Sequence, residues 1–445
     1  MIPPPPGGGR SAAHSLPPKL FTVSFGCQMS AADAEEMAAP FSRRGWARAA
    51  GLDDAQAVLI NTCTVRQHAE DRALSLIGRL REWKSKDPRR ILIIAGCAAE
   101  RLGEGLKRRF PYVDLVAGAR SIEDFPELAE SSLGDLLEAW EEDRAAFPET
   151  GAALPSASPV VSFVTIMRGC NYSCAYCVVP SVRGREIYRP PGAVLEEAGR
   201  RVREGAREIL LLGQTVNSYR YDEGGKTVDF AELLRRVDRT PGLERLRFMS
   251  PHPRHFGTRV MSALSECRTV CEHIHLPIQS GSDRILGLMR RSYDTATLLG
   301  RVARLRAAVP GLVVSTDIII GFPTETDEDF GRTLSLLETL RPVSAYCFKY
   351  SPRPGTDAGT RPDDVPRDVK EARLRIVNEL VANLTRQALE DHRGKTVRVL
   401  AEDAFFGRTR TNFGVRLSGA AAPGGLVDAV ITDVEGSTLL GRLLK

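Results

Sequence analysis

The stretch Val161–Cys177, with the sequence VSFVTIMRGCNYSCAYC, joins an apolar, β-rich run to a compact cysteine motif. The run Val161–Met167 predicts a buried strand. Cys170, Cys174 and Cys177 follow it directly, so their C-x3-C-x2-C spacing places three thiols in one loop after that strand. Thiolates are preferred ligands of zinc and of iron–sulfur clusters, so the stretch predicts a metal centre.

Two metal centres are compatible with three cysteines in one loop. A 4Fe-4S cluster held by three thiolates keeps one iron open for a small-molecule ligand. A structural zinc site is the alternative, but it would take its fourth ligand from elsewhere, because no further Cys or His follows within the loop. Zinc motifs usually combine one Cys-x2-Cys pair with a second pair, so the spacing favours the cluster.

The residues after this loop alternate between strand and helix patterns. Counting the run before the loop, the candidate strands are Val161–Met167, Glu208–Gly213, Leu246–Ser250, His273–Ile278, Val313–Ile320 and Ala345–Tyr350. The helical stretches between them include Val194–Glu204, Phe230–Arg239, Thr295–Ala307 and Asp329–Leu340. Six β/α repeats predict a partial (β/α)6, TIM-like barrel, whose site lies at the carboxyl ends of the strands.

Three similar units precede this region, and each is an apolar run that ends in a cysteine and leads into a helical stretch. The runs are Phe21–Cys27, Val58–Cys63 and Ile91–Cys97, and the helical stretches are Ala31–Arg44, Gln67–Lys84 and Glu100–Arg108. The alternation predicts a parallel α/β sheet with its ligand site at the carboxyl ends of the strands. A lone cysteine there is usually a small buried residue. Three at equivalent positions, Cys27, Cys63 and Cys97, favour a shared role.

The chain has 445 residues, which predicts about three domains at roughly 150 residues each. The expected limits are a disordered Pro/Gly-rich tail over 1–18, an α/β domain over 19–135, an acidic, Pro-rich linker over 136–155, the partial barrel over 156–388 and a last domain over 389–445. Short alternating segments in the last domain predict a small β-barrel. They are Thr396–Ala401, Phe413–Leu417, Leu426–Ile431 and Thr438–Arg442.

Composition excludes several classes of protein. The chain is 42% hydrophobic and 26% charged, as expected of a globular protein rather than a disordered one. Nine cysteines are an odd number and too few for a disulfide scaffold. No apolar run approaches the ~20 residues of a membrane span, and the N-terminus lacks the features of a signal peptide, so we expect a cytoplasmic protein with no membrane association. The small excess of basic residues, +5 over the chain, would suit a polyanionic partner, but a solvated surface of mixed charge is the commoner explanation of such a value.

The motif at Cys170–Cys177 resembles the signature of the radical S-adenosylmethionine (SAM) superfamily. The resemblance rests on the three-cysteine spacing, on the aromatic Tyr176 before the last cysteine and on the position after the first barrel strand. It implies that the open iron chelates the amino and carboxylate groups of SAM. An electron from the cluster then cleaves SAM to give a 5′-deoxyadenosyl radical, while the barrel excludes water and positions the substrate.

The whole of residues 19–445 is similar to the methylthiotransferase family within that superfamily. The motifs that carry this resemblance are FGCQM at 25–29, NTCTVR at 61–66, LLGQTVNSY at 211–219, HLPIQSGS at 275–282, DIIIGFPTET at 317–326 and YSPRPGT at 350–356. The resemblance implies a second 4Fe-4S cluster on Cys27, Cys63 and Cys97. The first two motifs look most like the tRNA-2-methylthio-N6-dimethylallyladenosine synthase type, although Ser30 stands where that type usually has Asn.

The resemblance also implies a reaction. One SAM methylates a sulfur bound to the open iron of the N-terminal cluster, and a second SAM gives the radical that attacks C2 of the N6-dimethylallyl adenine at tRNA position 37. Alternatives within the family are threonylcarbamoyladenosine tRNA or a ribosomal protein as substrate. A non-catalytic iron–sulfur RNA-binding protein is the alternative outside it.

Strand-end residues of the barrel are candidates for SAM contacts by the same resemblance. They are Tyr176, Gly213, Gln214, Ser250, His252, Gln279, Ser280, Ile319 and Gly321. His252 and Gln279 are equally well explained as packing or turn residues. Arg168 and Asp317 face the same end and are candidates for binding SAM or substrate. Cys267, Cys271 and Cys347 match no cluster motif and are expected to be ordinary buried or partly buried thiols.

The last domain resembles a TRAM domain, an RNA-binding module. Interleaved basic and aromatic residues suit unstacked bases. The candidates are Phe405, Phe406, Arg408, Arg410, Asn412 and Phe413. Phenylalanines that simply fill the barrel are the alternative. The partners implied are the anticodon stem-loop of tRNA and an electron donor such as flavodoxin or ferredoxin, with the chain itself expected to be a monomer.

Overall fold

The computed structural model describes residues 17–142 and 160–444, and the chain divides into two compact units between residues 156 and 157. Most of the predicted tail lies outside the described residues. So does most of the predicted linker, except that its first seven residues, 136–142, belong to a helix. No helix within the described ranges is both long and apolar enough to cross a membrane.

The first unit is a parallel sheet covered by helices. Its elements are β1 (Lys19–Ser24), α1 (Gln28–Arg43), β2 (Ala47–Arg48), β3 (Ala57–Thr62), α2 (Gln67–Ser85), β4 (Ile91–Gly96), α3 (Cys97–Leu102), α4 (Glu104–Arg109), β5 (Leu115–Gly118) and α5 (Phe125–Glu142). The strands are all parallel in the order β2-β1-β3-β4-β5. Strands β3 and β4 are buried along their whole length, because a separate apolar core covers each face of the sheet.

The second unit begins with the partial barrel. Its elements are β6 (Val161–Thr165), β7 (Met167–Arg168), α6 (Val179–Arg183), β8 (Ile187–Tyr188), α7 (Pro191–Arg203), β9 (Glu208–Leu212), β10 (Arg220–Glu223), β11 (Lys226–Asp229), α8 (Phe230–Asp238), β12 (Arg245–Phe248), α9 (Thr258–Glu266), β13 (His273–His275), α10 (Asp283–Leu288), α11 (Thr295–Ala308), β14 (Val313–Ile320), α12 (Asp327–Leu340), β15 (Ser344–Lys349) and α13 (Arg367–Glu390). Two parallel sheets, β6-β9-β12 and β13-β14-β15, meet through a bridge between Leu246 and Val270. The predicted partial barrel of six strands is therefore confirmed.

Strand β14 shows how the barrel separates its two faces. Ile318 and Ile320 point outward and pack with residues of α12 and α13. Because side chains alternate along a strand, Ser315, Asp317 and Ile319 point to the barrel interior. The inner face of this strand is thus partly polar, and its outer face belongs to the apolar core.

A closed five-stranded barrel completes the second unit. Its strands are β16 (Thr396–Ala401), β17 (Phe406–Thr409), β18 (Gly414–Leu417), β19 (Leu426–Glu435) and β20 (Thr438–Leu443), in the order β16-β17-β18-β20-β19. The α/β class with a C-terminal β-barrel is as predicted.

Some elements differ from the sequence-based expectation. The single helix expected over Glu100–Arg108 is two helices, α3 and α4, because Gly103 between them has φ of +49°, which no helix tolerates. Strands β5 and β17 were not predicted. Each has only four residues, too few for a clear apolar period.

Two buried arginines of β12 attach the β-barrel to the amino-terminal ends of the barrel strands. Arg245 donates to the main-chain oxygen of Arg408 at 2.6 Å. Arg247 donates to the oxygens of Thr409 and Arg410 at 2.9 and 2.8 Å, and to the Glu208 carboxylate at 2.9 Å. These arginines are nearly inaccessible to solvent, so β17 and the residue after it close this end of the partial barrel.

We expect Arg247→Met to destabilise the second unit strongly. The substitution keeps the volume but leaves Glu208 as a buried carboxylate without its partner, which typically costs about 3–5 kcal/mol. Urea unfolding measures the loss. The control is Arg416→Met, because Arg416 pairs with Glu435 on the surface and should lose far less. Equal losses in the two variants would contradict this account of the attachment.

Candidate active site

The cysteine loop after β7 is held in place by main-chain hydrogen bonds. Cys170 N donates to Gly184 O at 3.1 Å, and Cys177 N donates to Cys174 O at 3.0 Å. The loop begins at Gly169, where a Cβ atom would lie 2.0 Å from Arg185 O, so no other residue fits. The main chain therefore fixes the path along which the three thiols are placed.

The three thiols of this loop act on each other electrostatically, as expected of neighbours. Burial raises the pKa of Cys170 and raises that of Cys177 to about 12, so both are protonated thiols until a metal replaces the protons. Among the described residues, no three Cys, His, Asp or Glu side chains converge on a single metal ion. A 4Fe-4S cluster does not require such convergence, since each thiolate binds a different iron, and the donor set fits it.

Arg291 contacts this loop and was not identified from the sequence. Its Nη1 lies 3.6 Å from Cys174 Sγ, its Nη2 donates to Pro277 O at 2.9 Å and its Nε donates to Tyr293 Oη at 3.1 Å. Arg291 therefore places a positive charge next to the cysteine loop. In the sequence Arg291 stands two residues before Tyr293, and no motif spacing links it to the cysteines.

Two predicted cofactor residues have unusual main-chain conformations. Ser250 and Gln279, which follow β12 and β13, have φ of +57° and +82°. Positive φ is uncommon for residues other than glycine, and such residues cluster at functional sites. The positive φ of these two residues therefore supports a functional site at the carboxyl ends of β12 and β13.

Two other predicted cofactor residues carry buried polar atoms without a hydrogen bond in the described part of the chain, Gln214 Oε1 and His252 Nε2. His252 Nδ1 accepts a hydrogen bond from Arg254 N at 3.2 Å, which assigns the ring proton to Nε2. Burial lowers the pKa of His252 to about 2, so the ring is neutral. One unpaired acceptor and one unpaired donor match the amino and carboxylate ends of SAM.

The remaining predicted SAM contacts have surroundings of their own. Gly213 leaves no space for a side chain, since a Cβ atom would lie 2.4 Å from Met167 Cγ. Ile319 and Tyr176 pack in one small apolar cluster beside the cysteine loop. Gly321 has φ of +71° and donates its N–H to Glu325 at 2.7 Å. Ser280 is fully buried and accepts a hydrogen bond from Ser282 N at 3.2 Å, so its hydroxyl supports the turn.

The N-terminal cysteines end neighbouring strands of the first unit. Cys63 follows β3 directly and Cys97 begins α3 after β4, and the preceding residues, Thr62 and Gly96, are paired in the sheet. Cys27 precedes α1 and is exposed, whereas the other two are buried. The trio is thus gathered at one edge of the sheet, as the parallel topology predicts.

The surroundings of this trio also fit a bound group. Asn61 Oδ1 is buried without a hydrogen bond in the described residues, while its Nδ2 donates to Ser30 O at 2.6 Å. Ser30, the residue that departs from the family pattern, lies with its hydroxyl 3.7 Å from Cys27 Sγ. Ser30 therefore contacts the cysteine loop despite the substitution.

Polar side chains line the barrel interior below the cysteine loop. His273 Nε2 lies 2.9 Å from Ser315 Oγ, and the same hydroxyl lies 3.0 Å from His275 Nδ1. His275 Nε2 lies 3.1 Å from Asp317 Oδ2. These four residues form a hydrogen-bonded chain across β13 and β14, and it leads toward the carboxyl ends of the strands.

The residues proposed from sequence for RNA binding differ in their surroundings. Phe405 is 57% exposed, and Arg408 lies over the Phe406 ring at 5.4 Å while pairing with Glu402. Asn412 has φ of +70° in the turn after β17.

The other two RNA-binding candidates have structural contacts. Phe413 is buried in the core of the β-barrel and packs edge-on against His392. This agrees with the alternative that phenylalanines of this domain fill the barrel. The Arg410 guanidinium pairs with Glu272 of the partial barrel at 2.8 Å, which makes it part of the attachment between the two.

None of the nine cysteines, all of which lie in the described ranges, forms a disulfide. Cys267 and Cys271 are buried near the end of α9, and Cys347 is partly buried on β15, as expected of ordinary thiols. Burial raises the pKa of all three.

Comparison with known proteins agrees with this geometry. Residues 164–337 match the radical SAM superfamily, and residues 19–118 match the uncharacterized protein family UPF0004. A tRNA-2-methylthio-N(6)-dimethylallyladenosine synthase from Pelotomaculum thermopropionicum is 40% identical, covering 96% of this chain and 97% of its own. Another from Nitratidesulfovibrio vulgaris is 42% identical, covering 95% and 93%.

The chain belongs to the tRNA-2-methylthio-N(6)-dimethylallyladenosine synthase family. The family resemblance drawn from the sequence motifs is thereby confirmed. Membership also confirms the expected cofactors, SAM and two 4Fe-4S clusters, at the level of the family.

The fold has relatives outside this synthase family. The radical SAM methyltransferase TsrM from Kitasatospora setae, solved with cobalamin and a [4Fe-4S] cluster bound, superimposes with a TM-score of 0.53 at 14% identity. The superposition covers 77% of each chain. At this identity, the likeness concerns the fold alone.

The buried histidine His273 should make the free energy of unfolding depend on pH. Burial lowers the pKa of His273 to about 3, below the ~6.5 of an unfolded histidine, so only the unfolded chain takes up this proton between those values. Acidification from pH 7 to pH 5 should therefore cost about 2 kcal/mol through this group. In His273→Gln that loss should be absent from the urea-unfolding free energy. Parallel pH curves for the two proteins would refute the assignment.

Proposed function

We propose that this chain converts N6-(dimethylallyl)adenosine at tRNA position 37 to its 2-methylthio derivative. The observation that carries the proposal is the presence of two cysteine trios in one chain, each at the carboxyl ends of parallel strands. The relatives named as tRNA-2-methylthio-N(6)-dimethylallyladenosine synthases support it over nearly the full length. When bound, the clusters and SAM supply the radical and the sulfur.

One group of residues would bind the radical-generating cluster and SAM. Cys170, Cys174 and Cys177 would hold the cluster that supplies the radical chemistry, and Arg291 places a positive charge beside Cys174. Gln214 and His252 offer an acceptor and a donor to the amino-acid end of SAM. Ile319 and Tyr176, which pack against one small apolar cluster beside the cysteine loop, would help to exclude water from the site.

A second group of residues would serve the sulfur and the RNA. Cys27, Cys63 and Cys97 would hold the second cluster, which would supply the sulfur chemistry. In the last domain, Phe405, Phe406 and Arg408 are the candidates for RNA contact, because Phe405 is exposed and Arg408 lies over an aromatic ring.

The remaining parts of the proposal concern organisation and partners. The domains proposed from the sequence are 19–135, 156–388 and 389–445, with the first extended to Glu142, where α5 ends. The chain acts as a monomer in the cytoplasm on the anticodon stem-loop of tRNA. It takes electrons from a flavodoxin- or ferredoxin-type donor. Threonylcarbamoyladenosine tRNA, a ribosomal protein or RNA binding without catalysis are the competing functions.

We expect the two cysteine trios to be separable by substitution. The variant with Cys27, Cys63 and Cys97 all changed to Ala should still make 5′-deoxyadenosine, because the second unit has its own core and its own thiols. It should transfer no methylthio group to an isopentenylated stem-loop. The variant with Cys170, Cys174 and Cys177 changed to Ala should lose both products.

Iron analysis accompanies the two product assays. Each triple variant should hold about half of the wild-type iron, as two clusters of equal size require. Methylthio transfer by the first variant would show that the N-terminal cysteines are only structural. 5′-Deoxyadenosine from the second variant would refute the assignment of the radical-generating cluster.

A further inference from the structure

The inner wall of the partial barrel carries a carboxylate directly below the SAM-binding edge. Asp317 lies two residues before Ile319 on the same face of β14, which places it about 7 Å deeper along the strand. Ile319 and Tyr176 of the cysteine loop both pack against one small apolar cluster. A group bound against Asp317 would therefore be adjacent to the cluster end of the barrel.

Asp317 is oriented by the chain of hydrogen bonds beneath it. His275 Nε2 contacts its Oδ2 at 3.1 Å, and Ser315 fixes the other ring nitrogen of His275 at 3.0 Å. The second carboxylate oxygen, Oδ1, has no hydrogen bond within the described residues, and the Asp317 side chain is 27% exposed against 7% for His275. Asp317 thus presents one preorganised acceptor to the interior.

An aromatic ring stands beside this acceptor. Tyr346 of β15 is the residue paired with Asp317 in the sheet, and its side chain is 56% exposed. Its ring centroid lies 6.3 Å from that of His275. Tyr346 is one of the few large hydrophobic side chains exposed in the described residues, and aromatic side chains are the usual platforms for unstacked bases.

We propose that Asp317 and Tyr346 bind the target base, with Asp317 Oδ1 accepting the N6–H of the N6-alkylated adenine and Tyr346 contacting the face of its ring. This inference rests on the proposed function and names the residues that recognise its substrate. An adenine alkylated once at N6 keeps a single N–H there. An ionised carboxylate is acceptor-only, so the two groups match. His275 is a positioning residue that sets the direction of Oδ1.

The test compares two substrates, with and without the N6–H, in the wild-type enzyme and in variants of Asp317. One stem-loop carries N6-dimethylallyl adenine, and the other carries the near-isosteric purine in which the N6–H is replaced by an ether oxygen. The reconstituted wild-type enzyme should lose about tenfold or more in kcat/KM for methylthio transfer with the ether, as expected when a hydrogen bond to a charged group is lost.

The variants should remove that preference selectively. Asp317→Leu should be slow on both stem-loops, with a ratio near one, whereas Asp317→Asn keeps an acceptor and should retain part of the preference. His275→Gln should lower the preference without abolishing it. Glu338→Gln changes an exposed carboxylate on the outer helix α12 and should leave the wild-type ratio unchanged.

A binding measurement gives a readout that does not require turnover. Removing a base-stacking aromatic typically weakens binding by about tenfold or more. Tyr346→Leu should therefore weaken the Kd of the isopentenylated stem-loop by that amount, while Tyr346→Phe should retain the wild-type Kd. Equal affinity of wild type and Tyr346→Leu would overturn the part of the proposal that concerns Tyr346.

The outcomes separate this inference from the proposed function. If wild type modifies neither stem-loop, the proposed function fails. If wild type modifies both equally, or if Asp317→Leu keeps the preference, the function stands and the role of Asp317 is refuted. A raised KM for SAM in Asp317→Leu with an unchanged ratio would assign Asp317 to SAM and likewise overturn the proposal. Circular dichroism verifies folding, and Asp317→Asn replaces Asp317→Leu should the latter unfold.

Discussion

Parallel strand pairing is the constraint on which the rest of this molecule depends. Because parallel strands all end at the same edge, residues far apart in sequence are gathered wherever several strands end. In the first unit this places Cys27, Cys63 and Cys97 along one edge of a sheet. In the second unit it places the cysteine loop, Gln214 and His252 at one end of the barrel. Parallel pairing requires long crossovers, and the helices that form them supply the apolar cores on the outer face.

The partial barrel has polar side chains inside, and several of them pair with one another. Arg247 and Glu208 pair at the amino-terminal end, where main-chain oxygens of β17 and of the residue after it accept one hydrogen bond from each terminal nitrogen of Arg247. Above them, His273, Ser315 and His275 form a hydrogen-bonded chain that ends at Asp317. The β-barrel therefore closes one end of the interior, while the polar groups become more exposed toward the end that holds the cysteine loop.

The sequence predicted the parts of the fold that have long apolar periods. Strands β14 and β16 have the predicted limits, and the cysteines lie at strand ends as expected. Short elements such as β5 and β17 were missed because four residues carry too little pattern. Arg291 and the attachment by Arg245 and Arg247 were missed for another reason. Their partners are distant in sequence and include main-chain atoms, which leave no motif.

The central claim is that one chain both forms the radical and adds sulfur and methyl to adenine. It is tested most directly by reacting the reconstituted enzyme with SAM labelled in its methyl group. The substrates are stem-loops that carry either isopentenyl- or threonylcarbamoyl-adenosine, followed by nucleoside mass spectrometry. The account predicts a labelled methylthio group on the isopentenylated adenine and little on the other. Labelled methyl without sulfur, or methylthiolation of the threonylcarbamoyl form alone, would contradict it.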